Sequence, residues 1–262
     1  MYDIASVTSG CAGGIPWQME IHDLIDSTND RARELARGGA PHGTIVIADR
    51  QSGGHGRFQR AFYSPAGSGI YASIVLRPDA AIAQTAHITP MLAVAVARAI
   101  EACADVRARI KWVNDVYKDG KKVCGILTEA VTDFESGSIE FAIVGIGLNL
   151  YVEPDLLPDE LKEIAGGIYP DQKAAEAADR NLLVAEIVNC LLKETENLRL
   201  SEEYVENNLV TGNEIMIIDN NISRTAKALA ICPDGKLLVE EENGTQNKLT
   251  FGEVSIKIPS AE

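Results

Sequence analysis

The sequence predicts an α+β protein with a mixed sheet and flanking helices, followed by a small β-barrel. The chain has 262 residues, enough for one medium-sized domain and a small appended one. Helical and strand patterns are interleaved as far as about residue 211. After Thr211-Gly212 the pattern changes to five short β-like runs, and about fifty residues of short strands are typical of a small barrel. We therefore expect two domains, spanning residues 1–211 and 212–262.

Three segments carry apolar residues in patterns that predict helices. They are Asp30–Arg37, Met91–Cys103 and Leu182–Leu198. Ser27 or Thr28 can cap the first helix, because a hydroxyl oxygen can accept a hydrogen bond from a backbone N–H of the first turn. Thr89 followed by Pro90 is typical of an N-cap and a proline at the first helical position. We therefore expect the second helix to begin there.

Runs rich in β-branched and aliphatic residues predict the strands. In the first domain they cover residues 44–48, 70–76, 107–112, 123–131 and 139–150. In the second domain they cover residues 214–218, 225–231, 236–240, 245–250 and 253–258. Turn signals such as Pro233-Asp234-Gly235 separate the later runs.

Composition excludes several classes of protein. The chain has 24 Lys and Arg against 38 Asp and Glu, a net charge of −14, which argues against a nucleic-acid-binding surface. Its five cysteines are odd in number and include no CxxC pair, which argues against a disulfide framework or a structural zinc site. No run approaches about 18 apolar residues, so we expect no membrane span. Residues 1–15 do not read as a secretory signal, and we expect a cytoplasmic protein.

A glycine-rich segment is the first candidate site. Residues 51–78 contain no acidic residue, and with Arg50 the stretch holds four arginines. Within it, Gly53, Gly54 and Gly56 let the backbone approach a ligand closely. Arg57 and Arg60 can bind phosphate or carboxylate through charge-assisted hydrogen bonds. The alternative is a flexible surface loop with solvated arginines, and the segment matches neither a Walker loop nor a Rossmann fingerprint.

Two further clusters follow along the chain. The strand that ends in Asn114-Asp115 places two polar side chains at its exit, and Lys122 leads into the next strand, where it can face a pocket. The alternative is a plain hairpin at Asp119-Gly120 with solvated lysines. The third cluster is the segment 145–149, whose glycines also suit close backbone packing in a strand.

In this order, the motifs strongly resemble those of the biotin protein ligases, also called biotin–[acetyl-CoA-carboxylase] ligases. The matching segments are residues 26–29, 51–60 with Ser64-Pro65, 111–115, 122–127 and 145–149. The resemblance covers roughly residues 20–258, and 252–256 is similar to that family's C-terminal domain. This sequence departs from the family pattern at His55, Gln59, Phe62 and Val113, where the family has arginine, glycine, tryptophan and proline.

The resemblance implies a class II synthetase-like catalytic domain and a C-terminal SH3-like barrel. It implies an enzyme that joins biotin to ATP, giving biotinoyl-5′-AMP and pyrophosphate with the help of Mg²⁺. The enzyme then transfers biotin to a lysine of a carboxylase's biotin carboxyl carrier domain. The oligomeric state is open, with a homodimer among the alternatives.

Matching positions assign the site residues. The resemblance implies biotin-binding roles for Ser27, Thr28, Asn29, Gln51, His55, Gly56, Arg57, Lys122, Gly125, Gly145 and Gly147. It implies ATP-binding roles for Arg57, Arg60, Phe62, Lys111, Asn114 and Asn149. Lys122, Arg57 and Asp115 are the expected catalytic residues. Asp115 is also the candidate for positioning Mg²⁺ or the incoming lysine.

Three other functions stay open at this stage. A lipoate or octanoate ligase shares the general fold and a carrier lysine, although the Ser27-Thr28-Asn29 pattern favours biotin. A degenerate, non-catalytic biotin binder is compatible with the substitutions in the glycine loop. A biotin-sensing repressor would need a DNA-binding domain, and we expect none, because only 26 residues precede Ser27.

Overall fold

The computed structural model describes residues 2–3, 5, 7–8, 18–133, 135–195, 198–219 and 222–250. Within these residues the chain forms a seven-stranded mixed sheet and a four-stranded antiparallel sheet. The strands of the first sheet are β1 Met19–Ile25, β2 Ile45–Gln51, β3 Gly69–Leu76, β4 Arg109–Lys111, β5 Asp115–Lys118, β6 Lys121–Asp133 and β7 Ser138–Asn149. Their order across the sheet is β1-β2-β3-β7-β6-β5-β4. β1 and β2 pair in parallel, and the other neighbours pair antiparallel.

Two long helices cover one face of this sheet. The helices of the described residues are α1 Thr28–Arg37, α2 Thr85–Ala104, α3 Asp159–Lys162, α4 Gln172–Ala177, α5 Arg180–Thr195 and α6 Glu202–Glu206. α2 packs against α5 and against β6 and β7. Every residue of β3 is buried, which explains its nearly continuous apolar sequence. The main hydrophobic core therefore lies between this sheet and these two helices.

The start of α2 differs from the expected one. The helix begins at Thr85, and Pro90 lies inside it. The Thr89 hydroxyl donates to Thr128 Oγ1 at 2.8 Å instead of capping a helix end. Ile88, in the turn before the proline, is fully buried, so core packing extends the helix upstream of a residue that cannot donate a backbone hydrogen bond.

α2 also has the length and apolar composition of a membrane-crossing helix. It is the one helix of the described residues with these properties, and 61% of its most apolar stretch is buried inside the molecule. α2 packs against α5 and the sheet, as the core helix of a domain does.

The second sheet contains the first four strands expected after residue 212. They are β8 Glu214–Asp219, β9 Ile222–Ile231, β10 Leu237–Glu241 and β11 Gln246–Leu249, in the order β11-β10-β9-β8. The expected fifth run, 253–258, and the motif at 252–256 lie outside the described residues. The described part is a four-stranded antiparallel sheet, and it does not form a closed barrel.

The second sheet contacts the first domain through its turn at 233–235. The indole nitrogen of Trp112 donates to the carbonyl of Gly235 at 2.9 Å, and both groups are buried from solvent. A ring nitrogen of His87 lies 3.1 Å from the carbonyl of Pro233. Trp112 lies within the motif 111–115, so this contact ties the second sheet to the strand that carries Lys111.

Candidate active site

A cavity of about 1600 Å³ opens on the face of the large sheet. All the residues assigned to biotin, ATP or catalysis by the resemblance line it. They are Ser27, Thr28, Asn29, Gln51, His55, Gly56, Arg57, Arg60, Phe62, Lys111, Asn114, Asp115, Lys122, Gly125, Gly145, Gly147 and Asn149. The order of strands brings these distant segments together, because β7 lies between β3 and β6 in the middle of the sheet.

One end of the cavity is a small polar pocket built where α1 meets β2. Ser27 caps α1, and its hydroxyl oxygen accepts from the backbone N–H of Asp30. Thr28 donates to Gln51 Oε1 from its backbone nitrogen at 2.9 Å and from its hydroxyl at 3.1 Å. The Gln51 amide is thereby held with its nitrogen toward Ser64, whose hydroxyl oxygen is 3.5 Å away. The pocket therefore offers fixed hydrogen-bonding groups to a small polar head group.

The Asn29 side chain lies beneath this pocket, although its backbone belongs to the first turn of α1. Its amide nitrogen donates to Glu129 at 2.9 Å, and its oxygen accepts from the Ser73 hydroxyl at 2.6 Å. A Cβ atom added at Gly145 would lie 2.1 Å from the Asn29 Oδ1 atom. A glycine at 145 is therefore required for Asn29 to reach the sheet.

The glycines of β6 and β7 form part of the cavity floor. The Phe62 ring lies on this floor, since a Cβ atom at Gly147 would be 2.2 Å from its Cζ atom and one at Gly125 would be 3.5 Å from its Cε2 atom. The ring meets Tyr71 edge-on, with centroids 6.2 Å apart. Phe62, which was assigned to ATP, therefore packs on Gly147 and Gly125, which were assigned to biotin.

A hairpin between β5 and β6 carries the cationic part of the site. Asp119 and Gly120 form its turn, with φ angles of 49° and 74°. Lys122, two residues past the turn, places its ammonium nitrogen 2.6 Å from Asp115 Oδ1. The hairpin of the alternative interpretation is present, but Lys122 is held by a carboxylate on the neighbouring strand instead of being solvated.

Lys111 on β4 adds a second ammonium group. Its Nζ atom donates to the Tyr117 hydroxyl at 3.3 Å and lies 5.2 Å from that ring's centroid. Burial lowers the pKa of Lys111, the Asp115 carboxylate raises it, and Lys122 lowers it further. Two ammonium groups face one carboxylate, so the cluster presents a surplus of positive charge to the cavity.

The glycine loop adds a guanidinium group to this cluster. Arg57 donates to Asn114 Oδ1 at 2.9 Å, and Asn114 is itself held by its donation to the Ile126 carbonyl at 2.9 Å. Burial lowers the pKa of Arg57, and the nearby Asp115 carboxylate partly offsets this effect. The loop is thus joined to the strand exit through Arg57. Arg60 lies further out, with its guanidinium 5.9 Å from the centroid of the Phe58 ring.

The remaining loop and strand residues complete the cavity wall. A ring nitrogen of His55 lies 3.3 Å from the Gly53 carbonyl, and the Gly56 N–H donates to the Arg60 carbonyl at 2.8 Å. Asn149 donates to the Gly166 carbonyl at 3.1 Å, which holds the segment after α3 against the end of β7.

The four arginines near the glycine loop do not form one patch. Arg77 lies at the far end of β3, where it donates to the carbonyls of Ala36 and Ala40. Neither Arg50 nor Arg77 lines the cavity. Counting charge along the sequence overestimated the site, because β3 carries Arg77 to the end of the strand that lies away from the glycine loop.

Sequence reasoning did not single out Ser73 and Glu129, which connect to the polar pocket through Asn29. One signal for Ser73 was available in the sequence. It is the one small hydroxyl residue in the otherwise apolar run 70–76. Tyr204 was also missed, and its hydroxyl donates to the carbonyl of Val113 at 3.1 Å.

Comparisons with known proteins agree with this geometry. The model of the biotin/lipoate A/B protein ligase family matches residues 21–149. The bifunctional ligase/repressor BirA of Bacillus subtilis is 37% identical over 230 residues, which cover 85% of this chain and 69% of that protein. The biotin–[acetyl-CoA-carboxylase] ligase of Paracoccus denitrificans is 38% identical over 135 residues, covering 50% of this chain and 53% of that protein.

Solved structures show the same relationship. The biotin protein ligase from Aquifex aeolicus, determined in complex with biotin and ATP, superposes with a TM-score of 0.70 and 27% identity. The match covers 92% of this chain and 99% of that one. The fold and the site define a ligase of the class that modifies proteins with biotin or lipoate. This chain belongs to the biotin/lipoate A/B protein ligase family.

Proposed function

We propose that this chain is an ATP-dependent biotin–protein ligase of the biotin–[acetyl-CoA-carboxylase] ligase type. One observation carries the proposal: the polar Thr28–Gln51 pocket and the cationic Lys122–Asp115 cluster share one cavity. A ligand with a polar head and a carboxylate tail can bind both at once. The similarity to named biotin ligases supports biotin over lipoate or octanoate as that ligand.

In the first step, a carboxylate oxygen of biotin attacks the α-phosphorus of ATP. The bond between that phosphorus and the bridging oxygen breaks, and pyrophosphate leaves with the bond's electron pair. Both reactants are anionic, so they approach only where positive charge offsets their repulsion. Lys122 and Arg57 supply that charge at the tail end of the cavity, and Lys111 lies beside them.

In the second step, the amine of an acceptor lysine attacks the acyl carbon of biotinoyl-5′-AMP. An amide bond forms, AMP leaves, and the amine gives up a proton. We propose that the acceptor is a biotin carboxyl carrier domain and that Asp115 positions its lysine. Asp115 suits this role because its carboxylate already holds one ammonium group in the cavity.

The side chains near the cavity indicate how Mg²⁺ would bind. Among the described residues, no group of three or more His, Cys, Asp or Glu side chains could hold a metal ion. Mg²⁺ often binds through one or two carboxylates together with substrate phosphates and water. We propose that Mg²⁺ arrives bound to ATP, with Asp115 as the single candidate for a protein ligand.

The same proposal covers the domains, the cellular location and the oligomeric state of the enzyme. We propose a class II synthetase-like catalytic domain over residues 1–211 and an SH3-like barrel over 212–262, which the antiparallel sheet β8–β11 supports in part. We propose a cytoplasmic enzyme, and the net charge of −14 disfavours a general nucleic-acid-binding surface. A homodimer is the oligomeric state to test first.

The test is ATP–pyrophosphate exchange with and without biotin. Biotin-dependent exchange is expected, followed by labelling of an acceptor carrier domain on a streptavidin blot. Exchange that requires lipoate or octanoate instead would identify the other branch of the family. Biotin binding without any exchange would identify a non-catalytic biotin binder.

A further inference from the structure

The turn between β4 and β5 carries Asn114, and side chains from α6 and the residues after it hold this turn. Trp112 donates its backbone N–H to Asn208 Oδ1 at 3.3 Å. The Tyr204 hydroxyl donates to the Val113 carbonyl at 3.1 Å. Because the turn lies between the two paired strands, these bonds come from side chains rather than from strand pairing. The backbone of the turn therefore depends on a segment almost a hundred residues further along the chain.

Tyr204 is a well-fixed point from which to hold the turn. Its side chain is fully buried, and burial raises the pKa of its hydroxyl, so the hydroxyl keeps its proton and donates. Ser201 caps α6 by accepting the backbone N–H of Tyr204 at 3.2 Å. Arg98 on α2 donates to Glu203 Oε2 at 2.9 Å and to Glu194 Oε1 at 2.8 Å. The short helix that carries Tyr204 is therefore tied to both long helices.

Asn114 is held on two sides. Its backbone carbonyl accepts from the N–H of Ile126 at 2.9 Å, and its side-chain nitrogen donates to the Ile126 carbonyl at 2.9 Å. These bonds fix the side of Asn114 that faces β6, and Tyr204 holds the preceding peptide unit through the Val113 oxygen. Asn114 Oδ1 then accepts from Arg57 at 2.9 Å. A hydroxyl outside the cavity is thus linked to a guanidinium inside it.

We propose that Tyr204 is a positioning residue for the adenylation of biotin. It holds Asn114, and through Asn114 it keeps the Arg57 guanidinium where the carboxylate and the α-phosphate meet. Tyr204 does not line the cavity, so it acts through Asn114 and not on the substrates. Misplacing a catalytic group slows the chemical step even when the substrates still bind. The inference rests on the proposed function, because adenylation is the reaction that it concerns.

Tyr204→Phe removes one oxygen atom and keeps the buried ring. We expect the kcat of biotin-dependent ATP–pyrophosphate exchange to fall about ten-fold, the effect of one lost hydrogen bond that holds a catalytic group. The Kd for biotin, measured by calorimetry without ATP, should stay unchanged, because Thr28, Gln51 and Lys122 keep their own bonds. A loss in kcat without a loss in biotin affinity is the signature of positioning.

Tyr2→Phe is the matched control for the loss of a buried tyrosine hydroxyl. The Tyr2 hydroxyl is also buried, and it donates to a backbone carbonyl, that of Gly69, at 3.2 Å. Neither Tyr2 nor Gly69 lines the cavity. The control removes a similar hydrogen bond and should leave the kcat of exchange unchanged.

A double-variant cycle tests whether the effect passes through Asn114. Asn114→Ala removes the side chain that accepts from Arg57, and it should lower the kcat of exchange by itself. In that background Tyr204→Phe should add little, because the residue that it positions is already lost.

The outcomes separate the inference from the proposed function. A wild type without biotin-dependent exchange would overturn the proposed function and the inference with it. A wild type with biotin-dependent exchange, together with an unchanged kcat in Tyr204→Phe, would overturn the inference alone. An equal loss in Tyr2→Phe, or full additivity of Tyr204→Phe with Asn114→Ala, would also overturn it, because a general loss of stability has those effects.

Discussion

The ammonium nitrogen of Lys122 lies 2.6 Å from the Oδ1 atom of Asp115, and both side chains line the central cavity. The pair joins the first residue of β5 to the second residue of the neighbouring strand β6. Each side chain is less than one-third exposed. A lysine held in this way keeps a defined position for its charge.

Lys122→Ala should abolish most adenylate formation. A cation placed where negative charge builds in the transition state typically contributes about two to three orders of magnitude in rate. The measurement is biotin-dependent ATP–pyrophosphate exchange on protein whose thermal unfolding matches the wild type. Lys121→Ala is the matched control, because Lys121 does not line the cavity and its ammonium group donates to the carbonyls of Lys162 and Glu163. Near-normal exchange in a folded Lys122→Ala variant would remove this lysine from the mechanism.

Asp115→Asn should shift the pH profile of exchange. The Asp115 carboxylate raises the pKa of Lys111, whereas burial and Lys122 lower it. Without that carboxylate the Lys111 pKa falls, its ammonium group deprotonates at lower pH, and activity on the alkaline side is lost earlier than in the wild type. Exchange rates measured from pH 6 to 10 would show the shift. Asp119→Asn, which removes an exposed carboxylate, is the control. Superimposable alkaline limbs would contradict the prediction.

Gly147→Ala should disturb the cavity through Phe62. The new methyl carbon would lie 2.2 Å from the ring, so the ring must leave the strand floor and enter the cavity. We expect the Kd for biotin to rise about ten-fold, a cost in the range of 1–3 kcal/mol that overpacking usually carries. In a Phe62→Ala background the same substitution should cost much less. Calorimetric titration of the single and double variants tests this, and additive losses would show that the ring does not transmit the effect.

Cys124 should resist alkylation in the native protein. Its thiol is buried, and burial raises the thiol pKa, so little thiolate forms and reagent cannot reach it. Cys103, Cys190 and Cys232 are partly exposed and serve as internal controls. Peptide mapping by mass spectrometry after iodoacetamide treatment at pH 8 should find them modified before Cys124. Early modification of Cys124 would contradict its burial in the core.

Much of the secondary structure can be predicted from the sequence, because caps and turns depend on neighbouring residues. The Ser27 cap and the Asp119-Gly120 turn are two examples, and both are present in the structure. The ordered motifs also named the residues that line the cavity. The start of α2 was predicted wrongly at Pro90, because packing of Ile88 in the core outweighs a local cap signal.

Relationships between distant residues were decided only by the tertiary structure. Arg77 shares a basic stretch with Arg57 in sequence, yet the direction of β3 carries it to the other end of the sheet. Ser73 meets Thr28 and Asn29 across more than forty residues of chain. Strand pairing sets such contacts, and each strand's own sequence specifies which face is buried but not which distant side chain it will meet. The sequence by itself therefore determined the ligase family and predicted many of the residues that line the cavity, while the packing of β3, β6 and α1 decided which distant side chains contact one another.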